Sequence, residues 1–391
     1  MAVFSGTSSN IITVSLTLCL LYYALKQTKL YFTRRRFQKS NGCQPAQVKY
    51  PLKDPIFGLG LVLDTIKNTK NLRHLEGTSK RYEQHGTTFT SKLITYPTVF
   101  TIDTENVKTI LATNFDDFRL SSVRVNAMKP VFGHGIFTTN EKLCHNSRAF
   151  LRPTFAKESI SNLEVAEMHC QRLINRIHRE GSTIDLQDLF FKFTIDTATQ
   201  FLFGHSVNSQ SNSDHSSGGV SDAEFVEQYT YTQLEASYNV RLGPLARFRY
   251  NPTANRAQKT VFNKTETEDV KAGPYVFLEE TAKLTTDRQV LRDQVLNTLL
   301  AGRDTTASLL SNLVFMPARY PNVWRKLRAE VMQRRKDLFG EDVETFGPER
   351  WDQIRPKWFH TEQFALIEAS FVIVRMLQEF EKIGPRDEKP W

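Results

Sequence analysis

A long helix interrupted by polar residues is the feature of this sequence that most constrains its fold. Apolar residues recur every three or four positions from Val290 to Leu300, which is the spacing of a buried helix face, and Pro317 and Pro321 predict its downstream end. Within it, the segment Ala301–Thr306 has the sequence AGRDTT. Glycine, aspartate and threonine are poor helix formers. Segments that contradict their own local preference are more often functional or strained than ordinary helix positions.

The composition fits a large folded protein. The chain has 391 residues, of which 40% are hydrophobic, and this is enough to bury one large core or two smaller ones. It carries 51 Lys and Arg against 42 Asp and Glu, a net charge of +9 that suits an anionic membrane surface or an acidic protein partner. Because the basic residues are scattered and no nucleic-acid-binding signature is present, we predict no nucleic acid partner.

The cysteines and histidines indicate neither a disulfide framework nor a metal site. The four cysteines, Cys19, Cys43, Cys144 and Cys170, include no Cys-x-x-Cys pair, so a disulfide scaffold and a cysteine-based zinc site are unsupported. This usage indicates a reducing compartment. The nine histidines are dispersed and lack a His-Glu-x-x-His spacing. We therefore predict no metal-ligating residues.

The first 25 residues have the character of a membrane anchor. They contain no charged side chain, and the apolar run Ile11–Leu25 is followed by basic residues that include the cluster Arg34–Lys39. The run is shorter than the usual span of about 20 residues, but the residues before it extend it. A cleaved signal peptide is the alternative, although such a peptide carries its positive charge before the apolar run. The charge asymmetry predicts that most of the chain is cytosolic.

The chain divides into three predicted regions. They are an N-terminal anchor, residues 1–25, a basic, proline-containing linker, residues 26–60, and a globular domain, residues 61–391. In the third region helical periodicity dominates as far as about Met332. Lys92–Asp103 is an extended patch, and Ser206–Asp222 is a Ser/Asn/Gly-rich surface loop. The predicted fold class is mainly α with a small β portion.

Six segments, in this order, resemble the cytochrome P450 monooxygenases, which are haem-thiolate enzymes. They are most similar to the fungal group that hydroxylates n-alkanes and fatty acids. The segments are HGIFTTNEKLCHNSRAFLRPTFA (His134–Ala156), DLFFKFTIDTATQFLFG (Asp188–Gly204), YVFLEETAKLTTDRQVLRDQVLNTLL (Tyr275–Leu300), AGRDTT (Ala301–Thr306), RRKDLFGEDVETFGPERW (Arg334–Trp351) and QFALIEASFVIVRMLQEF (Gln363–Phe380). The resemblance extends from about Pro51 to Phe380 and implies a cytochrome P450 fold behind an N-terminal transmembrane helix.

The resemblance implies roles for particular residues. In that family the helix that carries AGRDTT crosses the distal face of the haem. Asp304 and Thr305 match the acid and the alcohol that help deliver protons during dioxygen cleavage, a task for groups that exchange protons. Ala301 and Gly302 match the positions where the helix passes close to the macrocycle. Arg148 matches an arginine that pairs with a haem propionate.

The resemblance also implies partners and a location. The family's membrane-bound members lie in the endoplasmic reticulum membrane with most of the chain in the cytosol. They take electrons from NADPH through NADPH-cytochrome P450 reductase and use O2 to hydroxylate a hydrophobic small molecule. For this chain the implied substrates are long-chain aliphatics, either n-alkanes or fatty acids. This substrate class rests on the resemblance alone.

One departure from the family pattern concerns its structural Glu-x-x-Arg pair. Arg350 resembles the arginine that this pair should contact, but no glutamate in the chain is followed by arginine three residues later. The helix after AGRDTT, Tyr320–Gln333, is followed directly by a segment that lies several dozen residues further along in the family. We therefore predict that a helix and several strands are missing between Gln333 and Arg334.

The second departure removes the iron ligand. In the family a glycine-rich loop ending in Cys-x-Gly supplies the proximal thiolate, whereas here Phe359 aligns with the cysteine and Thr361 with the glycine. No cysteine follows Cys170. His360 is an alternative ligand in principle, although it would lack the electron donation of a thiolate. Cys144 replaces the family tryptophan four residues before Arg148, which weakens propionate binding further.

Two hypotheses of different class follow. In the first, the chain is an incomplete or mis-joined copy of a membrane-anchored monooxygenase, because both losses have family-like sequence on each side. In the second, it is a non-catalytic, degenerate membrane-bound binder, or the product of a pseudogene or of mis-splicing. We expect the chain in its present sequence to be inactive, to bind no haem and to fold poorly, because a cavity as large as a macrocycle would be left unfilled.

Overall fold

The computed structural model describes residues 5–44, 48–52, 54, 58–71, 73–93, 96–152, 163–178, 181–211, 216–217, 219–267, 276–332 and 361–386. The chain divides into two compact units, Met1–Thr113 and Asn114–Trp391. The boundary falls inside the region predicted as one globular domain. Over the described residues the protein is mostly helical and has two small antiparallel sheets, so the predicted fold class is confirmed.

The first unit combines helices with one hairpin. Its elements are α1 (Ser5–Ser40), α2 (Leu59–Lys70), α3 (His74–His85), β1 (Thr88–Leu93), β2 (Tyr96–Thr101), α4 (Thr104–Lys108) and a π-helical turn (Thr109–Thr113). The strands pair antiparallel with Phe89 opposite Phe100, and the two rings stack at 5.1 Å. The extended patch predicted from Lys92 is confirmed, although the hairpin begins earlier, at Thr88.

Helix α1 continues beyond the predicted anchor. It includes the basic cluster Arg34–Lys39, so the first part of the segment predicted as a linker is helical. The reason is local, because no proline or glycine interrupts the chain between Lys26 and Ser40. Among the helices of the described residues, none is both long and apolar enough to cross a membrane.

The second unit is built from helices around one long central helix. Its elements are α5 (Ser122–Phe132), α6 (Glu141–Leu151), α7 (Leu163–Asn175), α8 (Leu186–Phe203), β3 (Ser216–Ser217), β4 (Val220–Ser221), α9 (Asp222–Leu242), α10 (Pro252–Thr267), α11 (Phe277–Ala282), α12 (Arg288–Arg319), α13 (Pro321–Met332) and α14 (Thr361–Glu379). Helix α12 packs mainly against α8 and α14. It is the helix predicted from the apolar periodicity of Val290–Leu300.

The end of α12 agrees with the prediction in part. The helix contains Pro317 and ends at Arg319, two residues before Pro321, so Pro321 bounds the helix as predicted and Pro317 does not. An interior proline removes its own N–H donor and its ring crowds the carbonyl group four residues earlier, but it leaves the N–H groups that follow it free to donate. The amide N–H of Tyr320 donates to the carbonyl oxygens of Met316 and Pro317 at 3.0 and 3.2 Å. The last turn therefore closes in spite of the proline.

Two apolar clusters form the core of this unit. One joins α9 and α11 to the first half of α12 and includes Phe225, Tyr229, Phe277 and Leu296. The other joins α7, α8 and α14 to the second half of α12 and includes Phe190, Phe193, Leu310 and Val372. Burial of large apolar side chains of this kind is the main stabilising contribution to a fold. Helix α12 thus contributes to both clusters.

The segment Ser206–Asp222 is less exposed to solvent than predicted. Val207, Gln210 and Asp222 are buried, so the prediction of a surface loop was wrong for these residues. The buried carboxylate of Asp196 on α8 accepts the backbone N–H groups of Ser209 and Gln210 at 2.7 and 3.1 Å, which holds the segment against the core. Its polar composition reflects these hydrogen bonds rather than exposure to solvent.

Candidate functional site on helix α12

The segment AGRDTT lies where the surroundings of α12 change. Upstream, all seven residues from Asp293 to Leu299 are buried, so the helix is enclosed on every side. From Thr305 onward one side of the helix is exposed, while Thr306, Leu310 and Val314 on the other side stay buried. We call the exposed side the open face; it comprises Thr305, Ser308, Asn312, Leu313 and Met316. The predicted site residues therefore lie at the start of an accessible surface.

Thr305 is the first residue of the open face. Its side chain is exposed, and its hydroxyl donates to the carbonyl oxygen of Ala301, one turn earlier, at 2.7 Å. Hydroxyls on helices often make such a bond, and the hydroxyl oxygen keeps acceptor capacity towards the open face. Gly302 has no side chain there, and a Cβ placed on it would meet only the Ala198 Cβ, at 3.8 Å. Space around Gly302 thus does not by itself require glycine.

Asp304 lies at the border between the buried side and the open face. Its Oδ1 atom is buried and accepts no hydrogen bond from a described residue. Nη1 of Arg303 lies 3.7 Å from this atom. Burial raises the pKa of the Asp304 carboxyl, and the Arg303 guanidinium opposes that rise. A carboxyl with a raised pKa exchanges its proton closer to neutral pH than an ordinary aspartate does.

Arg303 is a buried arginine that connects three helices. It donates from Nη1 to Gln233 Oε1 and from Nη2 to Thr230 Oγ1, both on α9 and both at 2.8 Å. Its guanidinium also lies 5.2 Å from the ring centre of Phe191 on α8 and 5.8 Å from that of Tyr229. Burial lowers the pKa of Arg303, while Asp304 and Tyr229 raise it. The residue before the predicted acid therefore fixes this part of α12 to its neighbours.

Arg303 was not among the site residues predicted from the sequence, although a signal for it was present. Leu299, Arg303, Thr306 and Leu310 are spaced by four, three and four residues and are all buried. This spacing places Arg303 on the buried stripe of the helix. An arginine on such a stripe must find hydrogen-bond partners on a neighbouring element. The pattern thus predicts a buried arginine, but not which helix supplies its partners.

Replacing Arg303 by methionine is expected to raise the pKa of Asp304 further, because burial then acts on the carboxylate without an opposing cation. When folding raises the pKa of an aspartate, the protein loses stability as the pH rises above 3.8, the ordinary pKa of that carboxyl. The free energy of unfolding of Arg303→Met should therefore fall more steeply with pH than that of the wild type. Gln233 and Thr230 also lose their partner, which costs about 1–3 kcal/mol.

This prediction is checked by urea unfolding at several pH values between about 4 and 8. The double variant Arg303→Met, Asp304→Asn is the control, since it loses the same contacts as the single variant but has no titrating carboxyl at position 304. Its stability should vary with pH less than that of the single variant. Equal pH slopes for the wild type and Arg303→Met would contradict the assignment of Arg303 as the group that opposes the raised pKa.

Just before the AGRDTT segment, polar side chains of α12 form hydrogen bonds with the end of α5 and the chain between α5 and α6. Asp293 Oδ2 accepts the backbone N–H of His134 at 2.7 Å. Asn297 accepts from the Phe137 N–H at 3.2 Å and donates to the Phe132 carbonyl at 2.7 Å. At Gly135 a Cβ would lie 2.1 Å from the Asn297 amide nitrogen, so only glycine allows this approach. These bonds hold the chain that leads into α6.

Arg148, on α6, is exposed. Its guanidinium lies 4.7 Å from the ring centre of Phe115. Within the described residues no hydrogen bond or ion pair joins Arg148 to the segment Ala301–Thr305. Cys144, one turn before Arg148, is buried on the same helix. The predicted propionate-binding arginine therefore lies on a solvent-accessible surface, and its proposed role remains a prediction.

The residues present do not fit a thiolate-bound haem. Cys170, on α7, is fully buried, and burial raises the pKa of its thiol to about 12, so at neutral pH it is not the thiolate that a metal requires. Cys144 is buried and Cys43 lies in the first unit. Among the described residues, no group of three or more His, Cys, Asp or Glu could hold a metal ion. Arg350, Phe359 and His360 lie outside the described residues.

The sequence is similar to fungal proteins over most of its length. Cytochrome P450 monooxygenase himC of Aspergillus japonicus is 33% identical over 93% of this chain and 83% of its own. Cytochrome P450 monooxygenase FPY7 of Fusarium mangiferae is 31% identical over 92% of this chain and 88% of its own. Cytochrome P450 52A3-A of Candida maltosa is 31% identical over 85% of both chains.

These alignments contain positions that this chain lacks. The alignment with himC has 466 positions, whereas 93% of 391 residues is about 364 residues. About 100 positions are therefore occupied in the relative and absent from this chain. The alignment with FPY7, 463 positions over 92% of the chain, gives nearly the same difference. The difference supports the predicted internal losses.

The family comparison covers most of the chain. The model of the cytochrome P450 family matches residues 49–338. This span includes α6 with Arg148 and α12 with the AGRDTT segment, and it ends before Phe359 and the QFAL segment. The match therefore includes the residues that carry the distal part of the resemblance. The chain belongs to the cytochrome P450 family.

Proposed function

We propose that this chain derives from a membrane-bound monooxygenase that hydroxylates long-chain aliphatics, and that in its present sequence it does not catalyse that reaction. The parent enzyme would use O2 and electrons from NADPH, delivered by a reductase. The n-alkane or fatty-acid substrate class rests on the resemblance to the fungal hydroxylase group. The similarity to fungal relatives such as Cytochrome P450 52A3-A supports the same lineage.

The observation that carries the proposed inactivity is the absence of any cysteine after Cys170. Haem, when bound through a cysteine thiolate, supplies the chemistry that activates dioxygen in this family. Cys170 is a buried thiol whose pKa is raised to about 12 by burial, and Cys144 lies on α6 beside Arg148. Neither position matches the segment that precedes QFAL, so neither replaces the missing ligand.

The distal side keeps the residues that the family uses. Thr305 presents a hydroxyl at the open face, and Asp304 lies beside it with a carboxyl whose pKa is raised by burial. An acid and an alcohol side by side can exchange protons between the interior and the surface. In the parent enzyme we assign proton delivery to this pair. The open face around them would be the surface towards substrate and cofactor.

We propose that the parent and this chain share a membrane location. The apolar run in α1, with basic residues after it, supports an anchor in the endoplasmic reticulum membrane with most of the chain in the cytosol. The net charge of +9 suits both an anionic bilayer surface and an acidic partner such as a reductase. The alternative proposal is a non-catalytic membrane-bound binder or the product of a pseudogene or of mis-splicing.

Haem binding tests the proposal. The full chain, produced with a haem precursor and purified in detergent, is expected to carry far less than one haem per chain. It should show no carbon-monoxide-dependent shift of the reduced Soret band. The matched control is the same chain with the segments of its relatives restored after Gln333 and before Gln363, which should show the shift.

Each outcome has one meaning. Stoichiometric haem in the present chain, together with a cooperative thermal transition, would overturn the proposed inactivity. A restored chain that folds but gives no Soret shift would overturn the proposed lineage. Sequencing the messenger RNA across Met332–Arg334 and Trp358–Gln363 separates a mis-joined copy from a degenerate protein. Missing segments in the transcript would show that the parent enzyme is encoded intact.

A further inference from the structure

Three helices of the second unit meet around a cleft near the start of α12. The cleft has a volume of about 350 Å³, which is within the range of small-molecule sites. Thr305, on the open face, follows Arg292 by thirteen residues, or about 20 Å along the helix, so the cleft is separate from the candidate site. We call it the polar cleft and define it by six of its lining residues: Asn126 and Lys129 on α5, His134 after α5, Gln258 on α10, and Gln289 and Arg292 on α12.

Arg292 is held in place at the polar cleft and still has donors to offer. Its side chain is only 11% exposed. Nη1 donates to Glu266 Oε1 at 2.6 Å, and Nε and Nη2 donate to Asp293 Oδ1 at 3.0 and 2.7 Å. The guanidinium also lies 3.9 Å from the ring centre of Phe262. Because a guanidinium has five N–H groups, two of them remain for a molecule in the cleft.

Four other side chains of the polar cleft have no partner in the part of the chain that the structure describes. Asn126, Lys129 and Gln289 are exposed, and Gln258 is half-buried. None of the four side chains makes a hydrogen bond or an ion pair with a described residue. Three of them are amides and the fourth is an ammonium group with three donors. A few polar groups that converge on one concave surface are typical of a ligand site.

The charges around the polar cleft favour an anion. Among the described residues that line it, Lys129 and Arg292 are cationic and none is acidic. Glu266 and Asp293 lie behind Arg292, where they accept hydrogen bonds from its guanidinium, and Asp293 also accepts the His134 N–H. Lys129 therefore has no counter-charge within the cleft. Phosphate and carboxylate oxygens form strong, charge-assisted hydrogen bonds with ammonium and guanidinium groups.

We propose that the polar cleft binds a small hydroxylated anion. The phosphate or carboxylate group of this ligand contacts Lys129 and the remaining N–H groups of Arg292. Its hydroxyl groups contact the amides of Asn126, Gln258 and Gln289. Amides both donate and accept hydrogen bonds, as hydroxyl groups do. The polar cleft thus offers a partner to each part of such a molecule.

The proposed ligand differs in class from the substrate of the parent enzyme. Pro130 and Phe262 are the two apolar side chains that line the cleft, so a long aliphatic chain would bury little apolar surface there. The polar cleft is also independent of the proposed function. Its residues lie on α5, α10 and α12 and in the chain after α5, and none belongs to the predicted losses. Binding is expected whether or not the chain binds haem.

Isothermal titration calorimetry of the full chain in a mild detergent tests this proposal. The probes are glycerol 3-phosphate and citrate, and glycerol is the neutral control ligand. Saturable one-to-one binding is expected for an anion and not for glycerol, and the anion that binds identifies the phosphate or the carboxylate class. Lys129→Gln should weaken binding about tenfold, because one charge-assisted hydrogen bond is lost. Lys259→Gln is the matched control, since Lys259 is exposed on α10 and does not line the cleft.

Gln289→Glu provides a second variant, which places a carboxylate at the polar cleft and should also weaken anion binding. An acidic residue in the first turn of a helix does not destabilise it. Asn322→Glu is the control for this change, at an exposed position in the first turn of α13. Thermal unfolding shows whether each variant is folded. The proposal is overturned if neither anion binds, if glycerol binds equally well, or if each variant and its control have the same dissociation constant.

Discussion

Replacing Glu368 by glutamine is expected to stabilise the protein by about 3 kcal/mol at pH 8. Glu368 is buried on α14, and burial raises the pKa of its carboxyl from 4.5 to about 7, against the effect of a hydrogen bond with Thr197 on α8. Above pH 7 the folded protein must hold a buried carboxylate. Glutamine has nearly the same shape and never ionises, so the cost of burying the charge disappears.

The sign of the pH dependence follows from the same shift. Between about pH 4.5 and 7 the folded state keeps the Glu368 proton while the unfolded state releases it. Stability of the wild type should therefore fall as the pH rises through this range and level off above it. At pH 4.5 and below, the wild type and Glu368→Gln should be nearly equally stable. The two curves diverge only as the carboxyl ionises.

Urea unfolding of both proteins at several pH values measures this effect. Glu381→Gln is the matched control, because Glu381 is exposed shortly after α14. This control substitution should change the free energy of unfolding little, and by a similar amount at every pH. Parallel curves for the wild type and Glu368→Gln would show that Glu368 does not keep its proton on folding. The stability near neutral pH would then have to depend on other groups.

Local pattern was sufficient to predict the long elements. The helix α12 follows from the apolar spacing of Val290–Leu300, and the strand β2 follows from the extended patch after Lys92. Both signals come from neighbours in the sequence, where periodicity reports directly on the buried face. The family, too, was predictable, because its motifs are contiguous runs that occur in a fixed order.

The features that were missed depend on contacts between distant residues. Arg303 bonds Thr230 and Gln233, about 70 positions away, and Asp196 holds Ser209 and Gln210 across a turn of the chain. Such partners leave no periodic signal. The composition of Ser206–Asp222 is that of a loop, yet the carboxylate of Asp196 draws it into the core. Polar residues can be buried wherever a partner satisfies them.

The candidate site likewise combines features that the sequence predicts with features that depend on packing between distant residues. The positions of Asp304 and Thr305 on α12 follow from the sequence, but the environment that raises the pKa of Asp304 arises from the packing of α12. Whether Arg148 contributes to the same site as Asp304 and Thr305 depends on segments that the relatives contain and this chain lacks. Asp304 and Thr305 therefore lie on the predicted helix, whereas the proton delivery proposed for them would also need a cysteine ligand, and the sequence has no cysteine after Cys170.

Replacing Asp293 by alanine is expected to destabilise the protein by about 3 kcal/mol or more, because two hydrogen bonds to a buried charged group are lost, each worth about 1.5–3 kcal/mol. Asp293 is buried on α12. Its Oδ1 accepts from Arg292 Nη2 at 2.7 Å, and its Oδ2 accepts the His134 N–H at 2.7 Å. The variant leaves both donors without this partner. Glu330→Ala, at an exposed position on α13, should by comparison cost less than about 1 kcal/mol.

Urea unfolding measures the loss, and a second substitution shows whether it arises at this contact. A Cβ on Gly133, whose φ is +58°, would lie 2.0 Å from the Asp293 carboxyl. Gly133→Ala should therefore be strongly destabilising in the wild type and less so in Asp293→Ala, where the overlapping atoms are gone. Part of the penalty should persist, because alanine is strained at that φ. Additive effects of the two substitutions would mean that Asp293 stabilises the protein through other contacts, since only neighbours that touch are coupled in a double-mutant cycle.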